Sequence, residues 1–253
     1  GPRVLRLRLH GGDSPFAEVP DFALQHPGGG LFRAWGGHRL WHAPELARRT
    51  YLPDEAPPEI QETEGGLLVV QATEAATGLQ KSLRIMLPGD DPVVVVDHIL
   101  ANRGLWPVRT APWAITQLKP GGVAVLPWGP RPAAAGGLLP NRQLALWPYT
   151  DVANPHVTWG NDYILVHASL RSGALKLGFP NPRGWLAYYW HETLLVKRAG
   201  FEAGIEYWDL GSSSECYCND RFLELETLGP AGTLEPEDSV CHREVWQLHG
   251  GVA

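Results

Sequence analysis

Cysteine is scarce in this sequence. Its three residues, Cys216, Cys218 and Cys241, are an odd number and argue against a disulfide framework. Cys216 and Cys218 lie too close along the chain to pair comfortably. With Cys241 and His242 they imitate a zinc cluster, but the spacing matches no common zinc pattern. Free thiols, buried or half-buried, are expected, with no metal and no other cofactor. Also missing is any apolar run near the roughly 18 residues that a membrane-crossing helix needs. Positive charge is not in excess either. With 27 acidic and 21 basic residues the net charge is −6, which gives no electrostatic case for nucleic acid or an acidic membrane as partner. The chain opens on Gly1-Pro2-Arg3 and an alternating run, Val4–Leu9. That opening predicts a cut start, either a short added scar or a chain whose first strands are missing. Any targeting segment would have gone with them, and a cytoplasmic location is the working expectation.

Helix signals are few, and strand signals fill their place. Short segments rich in Val, Leu, Thr and aromatics alternate with Gly and Pro punctuation. Strands are expected over Leu67–Thr73, Gln80–Leu87, Val93–Asn102, Val108–Leu118, Val123–Leu126, Leu144–Tyr149 and Tyr163–Leu170. More are expected over Leu175–Phe179, Trp185–Trp190, Thr193–Lys197, Ile205–Leu210, Glu215–Tyr217, Phe222–Leu228 and His242–Leu248. More than a dozen strands without alternating helices predict an all-β antiparallel sandwich or barrel. One domain covering 1–253 is the natural division. Ala43–Arg49, with Pro44 near its start, is the expected helical turn, and Ala133–Gly137 the expected flexible loop. Eleven tryptophans are many for this length. Core packing accounts for most of them, but the excess also fits a ring-shaped ligand stacked on planar faces.

The stretch that organises the rest is Asn219–Pro230. From Phe222 to Leu228 apolar and polar residues mostly alternate, so Leu223 and Leu225 share one strand face and Glu224 and Glu226 the other. Paired carboxylates among aromatics are either a solvated strand face or the acid/base equipment of a concave site. Val93–Val96 reads as a strand covered on both faces, leaving the core at Asp97-His98. Asp151 and Asp162 read as turn and strand-start residues.

Four blocks in order then resemble a known family: Gly36-Gly37-His38-Arg39-Leu40-Trp41-His42-Ala43-Pro44-Glu45; Asn102–Pro107 leading to Ala111-Pro112-Trp113-Ala114-Ile115-Thr116; Leu146–Asp151; and the strand with paired glutamates. They resemble a domain-of-unknown-function family in the galactose-mutarotase-like superfamily, whose members carry a further strand or two before Gly-Pro-Arg. The resemblance implies a β-supersandwich with a carbohydrate site and, in its epimerase members, a Glu base, a His acid and an Arg for hydroxyls or phosphate. By position Glu226 looks like the base. The Gly36-Gly37 block places His38 and Arg39 near the mouth. This sequence departs from the epimerases at Ala111, where they carry a His before Pro and an aromatic. His38, His42, His98 or Asp162 would then have to supply the acid, or the ordinary reaction is not run.

These readings give expected roles. Glu226, His38 and His98 are catalytic candidates. Arg39, Trp113, Trp147, Tyr149 and Glu224 are candidates for binding the sugar, with Trp190 a further aromatic of the same kind. The expected partner is a small or oligomeric carbohydrate, and the leading function is aldose-epimerase-like acid/base catalysis. A non-catalytic carbohydrate-binding module is the alternative. Glycosidic cleavage ranks third, because carboxylates pointing the same way from one strand flank a scissile bond poorly.

Overall fold

The computed structural model describes residues 1–252 except 90, 130–137 and 139. The loop expected at Ala133–Gly137 lies outside the described residues. In chain order the first strands are β1 (Arg3–Val4), β2 (Glu18–Gln25), β3 (Leu31–Gly36), β4 (His38–Ala43), β5 (Glu59–Thr63), β6 (Gly66–Val70) and β7 (Leu79–Met86). Then follow β8 (Val93–Asn102), β9 (Val108–Leu118), β10 (Val123–Pro127), β11 (Ala145–Leu146), β12 (Val157–Trp159), β13 (Tyr163–His167) and β14 (Ala174–Phe179). The chain closes with β15 (Trp185–Trp190), β16 (Thr193–Ala199), β17 (Ser214–Asn219), β18 (Leu223–Leu228), β19 (Gly232–Leu234) and β20 (Ser239–His249). The helices among the described residues are four-residue turns, α1 (Ala47–Thr50) and α2 (Trp208–Gly211).

Two antiparallel sheets face each other. The first has the order β1-β4-β9-β18-β17-β14-β11, with β19 also on β9; the second runs β12-β13-β10-β15-β16-β20-β8-β7-β6-β5. A separate ribbon of β2 and β3 stands apart from both orders. Alternation decides what lies between the sheets. Leu40, Leu175, Leu177, Leu223 and Leu225 of the first join Val96, Leu126, Leu195 and Trp246 of the second in one buried cluster. Cys216 and Cys218 are buried thiols in that layer, while Cys241 is exposed.

Several expectations need correction. Val4–Leu9 forms a strand only at Arg3–Val4. Ile205–Leu210 is not a strand, because Asp209 and Leu210 have φ of 52° and 58°, between Gly204 at 83° and Gly211 at 83°. Extended pairing requires negative φ. The helix begins at Ala47, since 38–43 is occupied by β4. The Val93–Asn102 strand forms with the expected bounds but does not leave the core at Asp97-His98, since His98 turns inward and Asp97 outward to Arg243 Nε at 2.6 Å. No helix among the described residues is long and apolar enough to cross a membrane.

Gly36 and Gly37 serve the fold. Both have positive φ, 95° and 67°. A Cβ on Gly36 would lie 2.0 Å from the Ala17 carbonyl oxygen, and one on Gly37 would lie 2.3 Å from that of Val4. The backbone thus passes close to its own chain at this turn, and Gly37 N–H donates to Ala17 O at 2.8 Å. Gly36→Ala is expected to lose about 2–4 kcal/mol of stability, from left-handed strain plus a backbone clash. Urea unfolding with an unchanged midpoint would contradict this.

Candidate functional site

Register brings the chemistry together on the face of the first sheet turned away from the core. Glu226 pairs with Ile115 on β9 and Glu215 on β17, and Ile115 pairs with Arg39 on β4. One step along, Glu224 pairs with Gln117 and Tyr217, and Tyr217 with Lys176. Because side chains opposite each other in a ladder share a face, these groups form one polar field. The β2–β3 ribbon adds Phe22, Leu24, Phe32 and Ala34, leaving a cleft of about 380 Å³. Its walls include Arg39, Trp41, Glu45, Tyr51, Trp113, Gln117, Tyr149, Lys176, Tyr217 and Glu224.

Glu224 is the carboxylate that reaches the cleft wall. It is half-buried, and its Oε1 accepts a hydrogen bond from Gln117 Nε2 at 2.8 Å. Gln117 is held in turn, because its Oε1 accepts from Arg39 Nη2 at 2.9 Å. Arginine can only donate, so the amide must turn its NH₂ toward Glu224. Desolvation, and after it the charge of Glu226, pushes the Glu224 pKa up to about 7.

Glu226 lies below that wall. It is fully buried and outside the cleft lining. Its Oε2 accepts from Trp113 Nε1 at 2.7 Å and from Lys176 Nζ at 2.9 Å, while Oε1 has no partner. Lys176 Nζ also lies 2.7 Å from Glu215 Oε2, so one buried cation serves two buried carboxylates. The rings of Trp113 and Trp147 lie 4.7 Å and 4.6 Å from the same ammonium. Burial alone would lower the Lys176 pKa, but the attraction of Glu215 and Glu226 outweighs it and holds the ammonium well above its ordinary value. Burial pushes Glu215 the opposite way from an ordinary carboxylate, well upward, against the pull of Lys176 and with the help of Glu226.

His38 and His98 are placed elsewhere. His38 alternates with Arg39 on β4 and points between the sheets, where its Nε2 meets His98 Nε2 at 2.6 Å. The directions of this chain can be worked out from its ends. His98 Nδ1 donates to the His242 carbonyl at 2.8 Å, so His98 Nε2 accepts from His38 Nε2. His38 Nδ1 then accepts from Thr116 Oγ1 at 2.8 Å, which accepts from Lys197 Nζ at 2.7 Å. Lys197 also lies 3.0 Å from Glu244 Oε1. Desolvation holds both histidines below their ordinary pKa, hence neutral. His38, His98 and Glu244 have ligand atoms within 4.8 Å of one another, a set that a metal ion could use. Here the two histidines bond each other, Thr116 and the His242 carbonyl, and Glu244 is taken by Lys197, Thr227 and Trp246. The structure therefore brings Arg39, Trp113, Tyr149 and Glu224 to the cleft, sets Glu226 and Trp147 against Lys176 at its floor, and keeps His38 and His98 out. Ala111 is buried two residues before Trp113, beside Ala43 and Leu228, and offers no proton.

Sequence reasoning missed Gln117, Lys176 and Glu215. Each alternates with core residues in an expected strand: Gln117 between Thr116 and Leu118, Lys176 between Leu175 and Leu177, Glu215 before Cys216. That alternation marked them as facing away from the core.

The pKa of Glu224 also sets a pH dependence of stability. The folded form holds its proton more tightly than the unfolded chain does, from an ordinary value of 4.5 up to about 7. The stability from this group is therefore fully present below about 4.5 and is lost as pH rises through about 7. In Glu224→Gln this component is absent. The unfolding midpoint of the wild-type should fall relative to the variant between about pH 5 and 8, and parallel curves would contradict the assignment.

Two facing antiparallel sheets carrying a cleft of this kind define the galactose-mutarotase-like fold. Solved structures agree. A candidate aldose 1-epimerase from Escherichia coli K12 superposes with a TM-score of 0.53 at 10% identity, over 94% of this chain and 84% of that one. A TPR-domain containing protein from Parabacteroides distasonis superposes with a TM-score of 0.61 at 15% identity, over 97% of this chain. This chain spans 43% of the length of that protein. No family model matches the sequence, and no curated protein does.

Proposed function

We propose that the cleft binds a sugar ring and that Glu224 acts on it as a proton-transferring group, in a reaction of the aldose-epimerase type. The observation that carries this reading is the placement of Glu224, half-buried and held by Gln117, at the wall of an aromatic cleft, where desolvation and Glu226 push its pKa up to about 7. A base is most effective when its pKa lies near the working pH, so that the carboxylate is both populated and avid for a proton. Gln117 holds Oε1, which leaves Oε2 for an anomeric hydroxyl. Trp41 and Tyr149 offer planar faces for the ring, and Lys176 is a donor that keeps its proton. In this reading Glu226 is an indirect participant, whose charge tunes Glu224 from below.

Ala111 favours a second reading, a sugar-binding module without turnover, because the position carries no acid. Anomer exchange of several sugars at equilibrium, followed by NMR, separates the two. Exchange faster than in buffer alone, rising with pH through about 7, is expected for the enzyme. Sugars that bind yet exchange only at the buffer rate would leave the binding module in its place.

A further inference from the structure

An antiparallel sheet in a sandwich usually alternates, apolar toward the core and polar toward water. The first sheet keeps this rule, since Arg39, Glu224 and Lys176 face away between its core leucines. The second sheet breaks it. Its inward positions, among them Val96, Leu126, Leu195 and Trp246, belong to the core, yet the outward positions between them are apolar as well. Register sets Leu165, Val125, Ala187, Val196, Gln247 and Val93 side by side in one row across β13, β10, β15, β16, β20 and β8. All of them but the buried Ala187 are half-buried. Two residues along, the next row adds Trp185, Val245 and Val95, with Arg198 as its charge. The run Val93–Val96 shows the consequence within one strand. Such a run suits a strand covered on both faces, but here Val94 and Val96 are covered while Val93 and Val95 stand half-open. The helices among the described residues are four-residue turns, too short to cover the face.

The few polar groups on this face are tied to each other. Arg198 Nε donates to Gln247 Oε1 at 3.3 Å. At the margin Asp97 accepts from Arg243 Nε at 2.6 Å and lies 4.0 Å from Arg84. An apolar centre inside a charged rim is the anatomy of a protein interface, and a contiguous apolar patch of this extent is uncommon on a bare monomer. From β13 to β7 the face is about 29 Å wide, because neighbouring strands lie ~4.8 Å apart, and five residues along it extend about 17 Å. That is about 490 Å² in projection. Side chains standing out of the sheet raise the accessible area toward the roughly 800 Å² that each partner of a stable pair buries.

We propose that a second copy of this chain docks on this face, sheet against sheet, about a two-fold axis. Two sheets pack face to face when their twists match, and a copy supplies the same twist, the same rows and the same apolar width. A two-fold pair is also the commonest assembly of identical chains. The docked face belongs to the sheet opposite the cleft. Both clefts of the pair therefore stay open, and the inference does not depend on what they bind.

Sedimentation equilibrium of the purified chain between about 1 and 100 µM tests it. A mass near twice 27.8 kDa is expected at the upper end. Val196→Lys sets an ammonium in the middle of the face, where docking would bury it without a counter-ion. The dissociation constant should then rise at least about tenfold. Gln247→Lys should act in the same direction, and it serves if Val196→Lys unfolds early in urea, because its position is already polar. Leu105→Lys is the control. Leu105 is 84% exposed in the turn between β8 and β9, off the face, and the pair should survive its replacement. A wild-type chain that stays single at about 100 µM overturns the inference. Flotation of that single chain with phosphatidylcholine vesicles would give the face to a lipid surface instead. A pair that persists undiminished in the folded lysine variants overturns it too, because another surface then holds the copies together.

Discussion

Lys176→Met is expected to destabilise the protein by about 3–5 kcal/mol near pH 8, the usual cost of leaving a buried charge uncompensated. Methionine matches much of the lysine's length, so the loss is mainly electrostatic. Glu215 and Glu226, both fully buried, share this single ammonium. Without it they must stay ionised beside each other or take up protons at neutral pH. The loss should therefore shrink on going down to about pH 5, where protonation is cheap. It should also shrink when Glu215→Gln and Glu226→Gln are added to the lysine variant. Urea unfolding at both pH values decides the matter. An equal loss at each would mean that packing, not charge, is what Lys176 contributes.

The second large effect concerns turnover. If exchange above the buffer rate is found, Glu224→Gln should lower it by roughly two to four orders of magnitude while sugar affinity changes little. Glu226→Gln should act differently. Its charge is one cause of the raised Glu224 pKa, so removing it draws that pKa down from about 7 toward the ordinary 4.5. The rising limb of the pH–rate profile would move to lower pH, with a lower maximum because the carboxylate is then a weaker base. The reverse pattern, loss with Glu226→Gln and survival with Glu224→Gln, would return the base to Glu226.

Much of the fold was legible because alternation is a local property. Leu223 and Leu225 do face the core, and Glu224 and Glu226 share the opposite face. Depth was not legible. Two glutamates on one face look alike in sequence, yet one stands at the cleft and the other under Trp113 and Lys176. The difference arises from β9 and β14, far away in the chain. Lys176 and Gln117 matter only through the register of β14 on β17 and of β9 on β18, and no residue spacing encodes that. His38 and His98 were attractive because histidine is a common acid. The strand that puts Arg39 in the cleft necessarily turns His38 the other way. The glycines before them, expected to set both residues near the mouth, give room to the backbone of Ala17 and Val4.

The hydrogen-bonded string from Lys197 through Thr116 and His38 to His98 acts as a key between the two sheets. Hydrocarbon tolerates sliding, because one leucine fits against the next about as well as against the last. A string of single donors and single acceptors does not. If β4 and β9 shifted by two residues over β16 and β20, Lys197 would face an aliphatic side chain with its charge exposed to hydrocarbon. Glu244, on the same sheet as Lys197, would keep the ammonium 3.0 Å away, but the hydrogen bonds that Thr116 and His38 make across the layer would be lost. Misaligned packings of the sandwich are thus penalised while the aligned one is not, so the string fixes the relative position of the sheet that carries the cleft.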